Sequence, residues 1–143
     1  DRIIVGEVRG KEASDMITVL NTGHSGSMST GHANSAKDML SRLETMILMG
    51  ANLPISAIRG QIATGIDIIV HLGRLRDKSR RVLDIAEITA FDGNTITVSS
   101  IFKFIDKDPA SKVVKGSLEF TGHRLTNTEK LLLAGLAEPI YQL

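Results

Sequence analysis

Residues 3–20 confine this chain to the α/β architectures. Ile3, Ile4 and Val5 form an unbroken run of β-branched apolar residues ended by Gly6. A half-exposed strand alternates apolar and polar side chains, so this run predicts a central strand covered on both faces. The period then changes in "GKEASDMITVLNTG". Ala13, Met16, Ile17 and Leu20 recur at i, i+3, i+4 and i+7, one face of a helix closed by Asn21 and Gly23. Residues 27–31 read as a second short strand that leads to His32.

Helical periodicity continues to Gly65. Ser35 reads as an N-cap with Asp38 three residues on, a capping-box pattern. The helix behind it turns Met39, Leu40, Leu43, Met46 and Ile47 inward and stops at Gly50. Pro54 suits the first position of a third helix carrying Ile55, Ile58 and Ile62. Beyond Gly65 three β-rich stretches, "IDIIVHLGRL", "RRVLDIAEI" and "NTITVSSIFKF", are separated by polar turns at residues 77–79 and 92–94, an antiparallel meander. Residues 106–117 read as a loop with weak strand character at its end, and a last helix over about 127–134 ends at Gly135. We therefore expect residues 1–64 to form an α/β part and residues 65–143 a β-meander with a terminal helix, both in one domain.

The 143 residues suffice for one buried core. That core must be aliphatic, because aromatic residues make up only 3% of the chain; the five Met, read as helical, are expected to fill it. A net charge of +1 gives no electrostatic argument for nucleic acid or acidic membranes. The basic run Arg74 to Arg81 has one acid inside and no interleaved aromatic, so it reads as a solvated turn. With no Cys there is neither a disulfide frame nor a thiolate metal site, which fits a cytosolic protein. No apolar run reaches the roughly 18 residues of a membrane span, and the opening residues do not read as a signal peptide. The chain opens inside an apolar strand without Met, so we read it as a piece of a longer protein.

Candidate chemistry gathers around two segments. In "RIIVGEVRG", Glu7 stands at the tip of an apolar strand, where phosphoryl-transfer folds place a carboxylate beside Mg²⁺ and the attacking water. On that signal alone, Glu7 and Arg9 also read as an exposed ion pair. In "TGHSGSMSTGHANS", His24 and His32 each follow a glycine. As zinc ligands they lack a nearby third partner. As neighbours of Glu7 they could donate to a terminal phosphate or orient a water. His71 reads as a polar-face residue of its strand, and His123 has no evident role.

In order and spacing, these segments resemble the secretion ATPases of type II and type IV secretion and of type IV pili. "DRIIVGEVRG" resembles their Walker B segment and "TGHSGSMSTGHANS" their histidine box. The run from "DMLSRLETMILMG" through "RRVLDIAEI" is similar to the tight-adherence (Flp) pilus and conjugation branch. The resemblance implies the C-terminal portion of a RecA-like P-loop ATPase domain. It implies Glu7 as the Walker B glutamate, holding Mg²⁺ through water, and His32 and His24 as the second and first histidines of the box. Arg9 is implied to support a phosphate or a subunit contact, and Arg42 to be a further nucleotide-binding residue. Asp1 matches the aspartate before the strand. Gly31 stands where relatives more often carry an apolar residue, and Ser25 where they often carry an acid.

From the resemblance follow MgATP hydrolysis in a hexameric ring, an inner-membrane platform protein as partner, and a place at the cytoplasmic side of that membrane. No nucleic acid is expected as a partner. The phosphate-binding loop G-x-x-x-x-G-K-[ST] is not in the sequence; "GQIATG" at residues 60–65 lacks its Lys. This chain alone is therefore expected to be inactive, to expose apolar surface and to self-associate. Two other readings remain at this point: a non-catalytic module that docks the platform protein, and a zinc hydrolase built on His24 and His32.

Overall fold

The structure is a computed structural model that describes residues 2–24 and 26–136. Asp1 and Ser25 lie outside the described residues. The elements in order are β1 (Ile4–Val5), α1 (Ala13–Leu20), β2 (Met28–Ser29), α2 (Ala36–Gly50), α3 (Ile55–Gly65), β3 (Ile68–Arg74), β4 (Arg80–Phe91), β5 (Ile96–Asp106), β6 (Gly116–Phe120) and α4 (Glu129–Leu133). They divide into two compact units. One is built from residues up to Asp67 together with Ala90–Thr97, the other from Ile68–Thr89 and the chain from Val98 onward.

In the first unit, α1, α2 and α3 pack against one another in all three pairs. Ala13, Met16 and Ile17 of α1, Leu40, Leu43, Met46 and Ile47 of α2, and Ile58 and Ile62 of α3 are buried between them. Each large aliphatic side chain so enclosed contributes about 1.5–3 kcal/mol. The Ser35 hydroxyl accepts the Asp38 N–H at 3.0 Å and starts α2. Gly50 closes α2 for a packing reason, since a Cβ there would stand 2.7 Å from the Lys11 carbonyl oxygen. Pro54 caps α3 from outside rather than opening it, because its ψ of 143° is extended. Asn21 ties α1 to α3: its amide donates to the Ile17 and Gln61 carbonyls at 2.8 and 2.9 Å, and its oxygen accepts from Thr64 at 2.7 Å. Arg59 forks onto Glu44 at 2.8 and 3.2 Å and donates to the Asn94 carbonyl at 2.8 Å, seating the tip of the β4–β5 hairpin.

The β1 strand departs from expectation. It pairs in parallel with β2, Ile4 opposite Met28 and Val5 opposite Ser29, in a two-stranded sheet. Among the described residues it has no second sheet neighbour, so Ile4 stays 62% exposed and the strand is not covered on both faces. The methionines also divide. Met16 and Met46 are buried, whereas Met28, on a strand, and Met49, on the outer face of α2, are 61% and 66% exposed.

The second unit carries the sheet β3-β4-β5-β6. The meander is antiparallel, and the weak strand character expected at the end of residues 106–117 becomes a fourth strand: β6 pairs with β5 from Phe102↔Phe120 to Asp106↔Gly116. The pairing of β3 with β4 slips by one residue between His71↔Asp84 and Leu72↔Val82, leaving Leu83 as a bulge. Gly73 lies beside it, and any side chain there would collide with Leu83. His71 lies with Ile69 on the more covered side of β3, while Ile68, Val70 and Leu72 are exposed, the reverse of the polar-face expectation.

The basic turn is anchored, not freely solvated. Arg76 pairs with the Asp106 carboxylate and donates to the Ser111 and Asp108 carbonyls at 2.6 and 2.7 Å. Asp77 accepts from the Val114 N–H at 3.0 Å and from the amide and hydroxyl of Ser79. The terminal helix is shorter than expected. It closes in a Schellman motif at Gly135 (φ 68°), with Leu136 N–H on the Leu131 carbonyl and Gly135 N–H on that of Leu132.

Candidate functional site

Glu7 follows β1 at the point where the chain turns toward α1. Backbone pairing with the segment after β2 extends past the short ladder, with Val8 N–H on the Thr30 carbonyl at 2.9 Å. The Thr30 hydroxyl donates to the Gly6 carbonyl at 2.5 Å. On the other side, Glu12 Oε1 accepts the Arg9 and Gly10 N–H groups at 2.7 and 2.9 Å and fixes the turn into α1.

Two basic side chains reach the Glu7 carboxylate. Arg9 donates to Oε2 at 2.5 Å, and His32 Nε2 lies 2.9 Å from Oε1. The His32 approach is off the hydrogen-bonding line, so Oε1, shielded from solvent, accepts no hydrogen bond. The carboxylate is 22% exposed, while the side chains of Arg9 and His32 are 78% and 85% exposed. The Arg9 hydrogen bond holds the Glu7 carboxyl below the usual range; partial burial opposes this, and the charges of Arg9 and His32 reinforce it. A carboxylate so held is ionised near neutral pH.

Of the candidate residues, then, Glu7, Arg9 and His32 converge. Arg42 lies one helical turn beyond Asp38 on α2, and with His32, Asn34 and Ser41 it lines an open cleft of about 550 Å³. His24 sits apart, at the turn into β2. Its carbonyl accepts from the Ser27 hydroxyl at 2.7 Å, and its Nδ1 is enclosed without a hydrogen bond. The zinc reading finds no support, because no three His, Cys, Asp or Glu side chains cluster as a metal site among the described residues. A water-mediated hold on Mg²⁺ fits the residues better, since Glu7 Oε1 is an ionised, enclosed acceptor with no hydrogen-bond partner.

Two arrangements were not read from the sequence. Thr30 lies inside the histidine-bearing segment, but only the register of β1 on β2 brings its hydroxyl to Gly6. His123 reaches Glu87 on β4, in the second unit. Glu87 is fully buried and also accepts from the Thr126 N–H and hydroxyl and from the Asn127 N–H, at 2.8–3.0 Å.

Residues 1–120 match the family described as type II/IV secretion system protein, and the chain belongs to that family. A putative conjugal transfer protein of Mycobacterium tuberculosis (strain H37Rv) is 37% identical over 99 residues, 69% of this chain and 28% of that protein. The type IV secretion system protein PtlH of Bordetella pertussis is 42% identical over 89 residues, 59% of this chain and 26% of that protein. The crystal structure of the VirB11 ATPase from the Brucella suis type IV secretion system, in complex with sulphate, aligns with a TM-score of 0.57. It is 34% identical and covers 60% of this chain and 27% of that one. The fold is thus the C-terminal portion of a RecA-like P-loop ATPase domain with an antiparallel meander. The chain spans 26–28% of the length of these relatives.

Proposed function

We propose that this segment supplies the water-activating part of a motor that hydrolyses MgATP to drive pilus assembly or protein secretion across the bacterial envelope. The observation that carries this reading is the convergence of Arg9 and His32 on the ionised Glu7 carboxylate. In this reading the Glu7 carboxylate accepts a proton from an attacking water and holds Mg²⁺ through water. Mg²⁺ bound with ATP supplies charge neutralisation on the phosphates. His32 Nε2 orients the water or donates to the terminal phosphate. Arg9, with an exposed side chain, exchanges its bond to Glu7 for a phosphate or a neighbouring subunit. Arg42 contributes a cation to the cleft, and His24 completes the histidine pair.

Family membership supports the wider setting. In this reading the parent protein is a hexamer of the tight-adherence or conjugation branch. It works at the cytoplasmic side of the inner membrane and passes domain movement to a platform protein. Residues 1–64 and 65–143 belong to one motor domain. With no phosphate-binding loop in its sequence, the 143-residue chain is expected to be inactive alone.

The test is MgATP turnover by the longer chain that joins this segment to a phosphate-binding loop. Glu7→Gln is expected to abolish turnover while ATP still binds, and His32→Ala to reduce it by about 10²-fold. A longer chain that neither binds nor hydrolyses ATP overturns the proposal in favour of a non-catalytic module docking the platform protein.

A further inference from the structure

Both side-chain partners of Glu7 are largely exposed, and Gly6 before it adds no side chain that would restrain the backbone. The restraint comes from the neighbouring segment. The Gly6 carbonyl belongs to the peptide unit entering Glu7, and the Val8 N–H to the peptide unit leaving it. Both are bonded to one residue, Thr30: the first to its hydroxyl at 2.5 Å, the second to its carbonyl at 2.9 Å. Fixing the two flanking peptide planes fixes φ and ψ of Glu7, and so the direction in which its carboxylate leaves the chain.

We propose that Thr30 is a positioning residue for Glu7: its hydroxyl, through the Gly6 carbonyl, locks the backbone that aims the catalytic carboxylate. The inference rests on the reading of Glu7 given above. Thr suits the task because branching at Cβ limits χ1, so the hydroxyl is aimed before it bonds. The carbonyl-to-Val8 bond is ordinary sheet pairing that any residue could make. The hydroxyl bond is specific to Thr or Ser, and it holds the one peptide that Gly6 would otherwise leave free. Misplacing a reacting group by about 1 Å costs on the order of 10²-fold in rate, so loss of this bond should appear in turnover rather than in nucleotide affinity.

The experiment is steady-state ATP hydrolysis by the longer chain described above, comparing wild type with Thr30→Val, Thr30→Ser and Glu7→Gln. Thr30→Val keeps the shape and removes the hydroxyl; it is expected to lower kcat by about 10-fold or more with KM for ATP changed less than about 2-fold. Thr30→Ser is expected to keep kcat within about 3-fold of wild type, because it retains the donor. If Glu7→Gln abolishes turnover while Thr30→Val matches wild type, the positioning role is overturned and the role of Glu7 stands. If Glu7→Gln itself leaves turnover intact, the reading of Glu7 fails and this inference goes with it. A Thr30→Val change that raises KM as much as it lowers kcat overturns positioning in favour of a general structural effect. Amide hydrogen exchange on the wild-type chain needs no variant: slow exchange at Val8 is expected, and exchange at the rate of an open amide overturns the clamp.

Discussion

Glu87 and His123 are 36 residues apart in the sequence and 3.1 Å apart in space, joined through Oε2 and Nε2. Glu87 is among the largest fully enclosed side chains of the described residues, and its position in the second unit is one that an aliphatic residue would ordinarily hold. Burial pushes its carboxyl up. The Asn127 and Thr126 amides, His123 and the Thr126 hydroxyl pull it down further, and the balance lies below the usual carboxylate value.

A carboxyl with a depressed folded pKa contributes stability that is complete above the unfolded value and is lost as pH falls through the folded one. The second unit should therefore lose stability on acidification through and below the ordinary Glu range. Glu87→Ala leaves the Thr126 and Asn127 donors unpaired and should destabilise by about 2–3 kcal/mol. Denaturant titrations of both forms between pH 7 and pH 3 check this. A variant whose midpoint follows the same acid limb as wild type would remove Glu87 as its origin.

Asp77 offers a second titration, with a number attached. The Ser79 hydroxyl, the Ser79 amide and the Val114 amide lower its carboxyl to about 2. Its contribution should be intact above the ordinary Asp range and disappear only as pH falls toward 2. Carboxyl carbon shifts followed by NMR should place the Asp77 midpoint well below the ordinary Asp range. In Asp77→Asn the Val114 amide should exchange faster with solvent, since its acceptor is no longer charged.

Lys78, in the same turn, has φ of 67°, the one described residue other than glycine in the left-handed region. That conformation costs an L-residue about 1 kcal/mol. Lys78→Gly should therefore stabilise the folded chain, by about 0.5 kcal/mol after the greater freedom of Gly in the unfolded state is subtracted. Thermal unfolding of the two forms decides the sign. A lower midpoint for the glycine form would show that the turn is not strained at Lys78.

Short-range signals were legible in the sequence, and long-range ones were not. The faces of α1 and α2 follow from apolar spacing, and the Ser35 cap from a hydroxyl three residues before the amide it accepts. The strand β6 was legible only as weak strand character, because "GSLEF" has only two large apolar residues and becomes a strand through pairing with Phe102 to Asp106. Glu87 reads as one more charged residue in a β-rich stretch until the chain from His123 to Asn127 folds onto it. At the candidate site, Glu7 and His32 were visible as chemical types. Thr30 was not, since what singles it out is a bond to a glycine carbonyl 24 residues away. The exposure of Ile4 was also misread, because an apolar run announces what a strand can bury, not how many neighbours it has.

The bulge at Leu83 gives the sheet slack. Because β4 carries one residue more than β3 opposite it, Asp84 and Ala86 share a face with Arg81, while Ile85 and Glu87 share the other with Val82 and Arg80. A regular ladder would have placed them the other way round. The loss of one residue from the stretch around Leu83 can therefore be absorbed by closing the bulge, with Glu87 still facing its partners. Gain of a residue there has no such outlet. The strand is thus asymmetric toward length change: tolerant of a single deletion at this point, intolerant of the matching insertion.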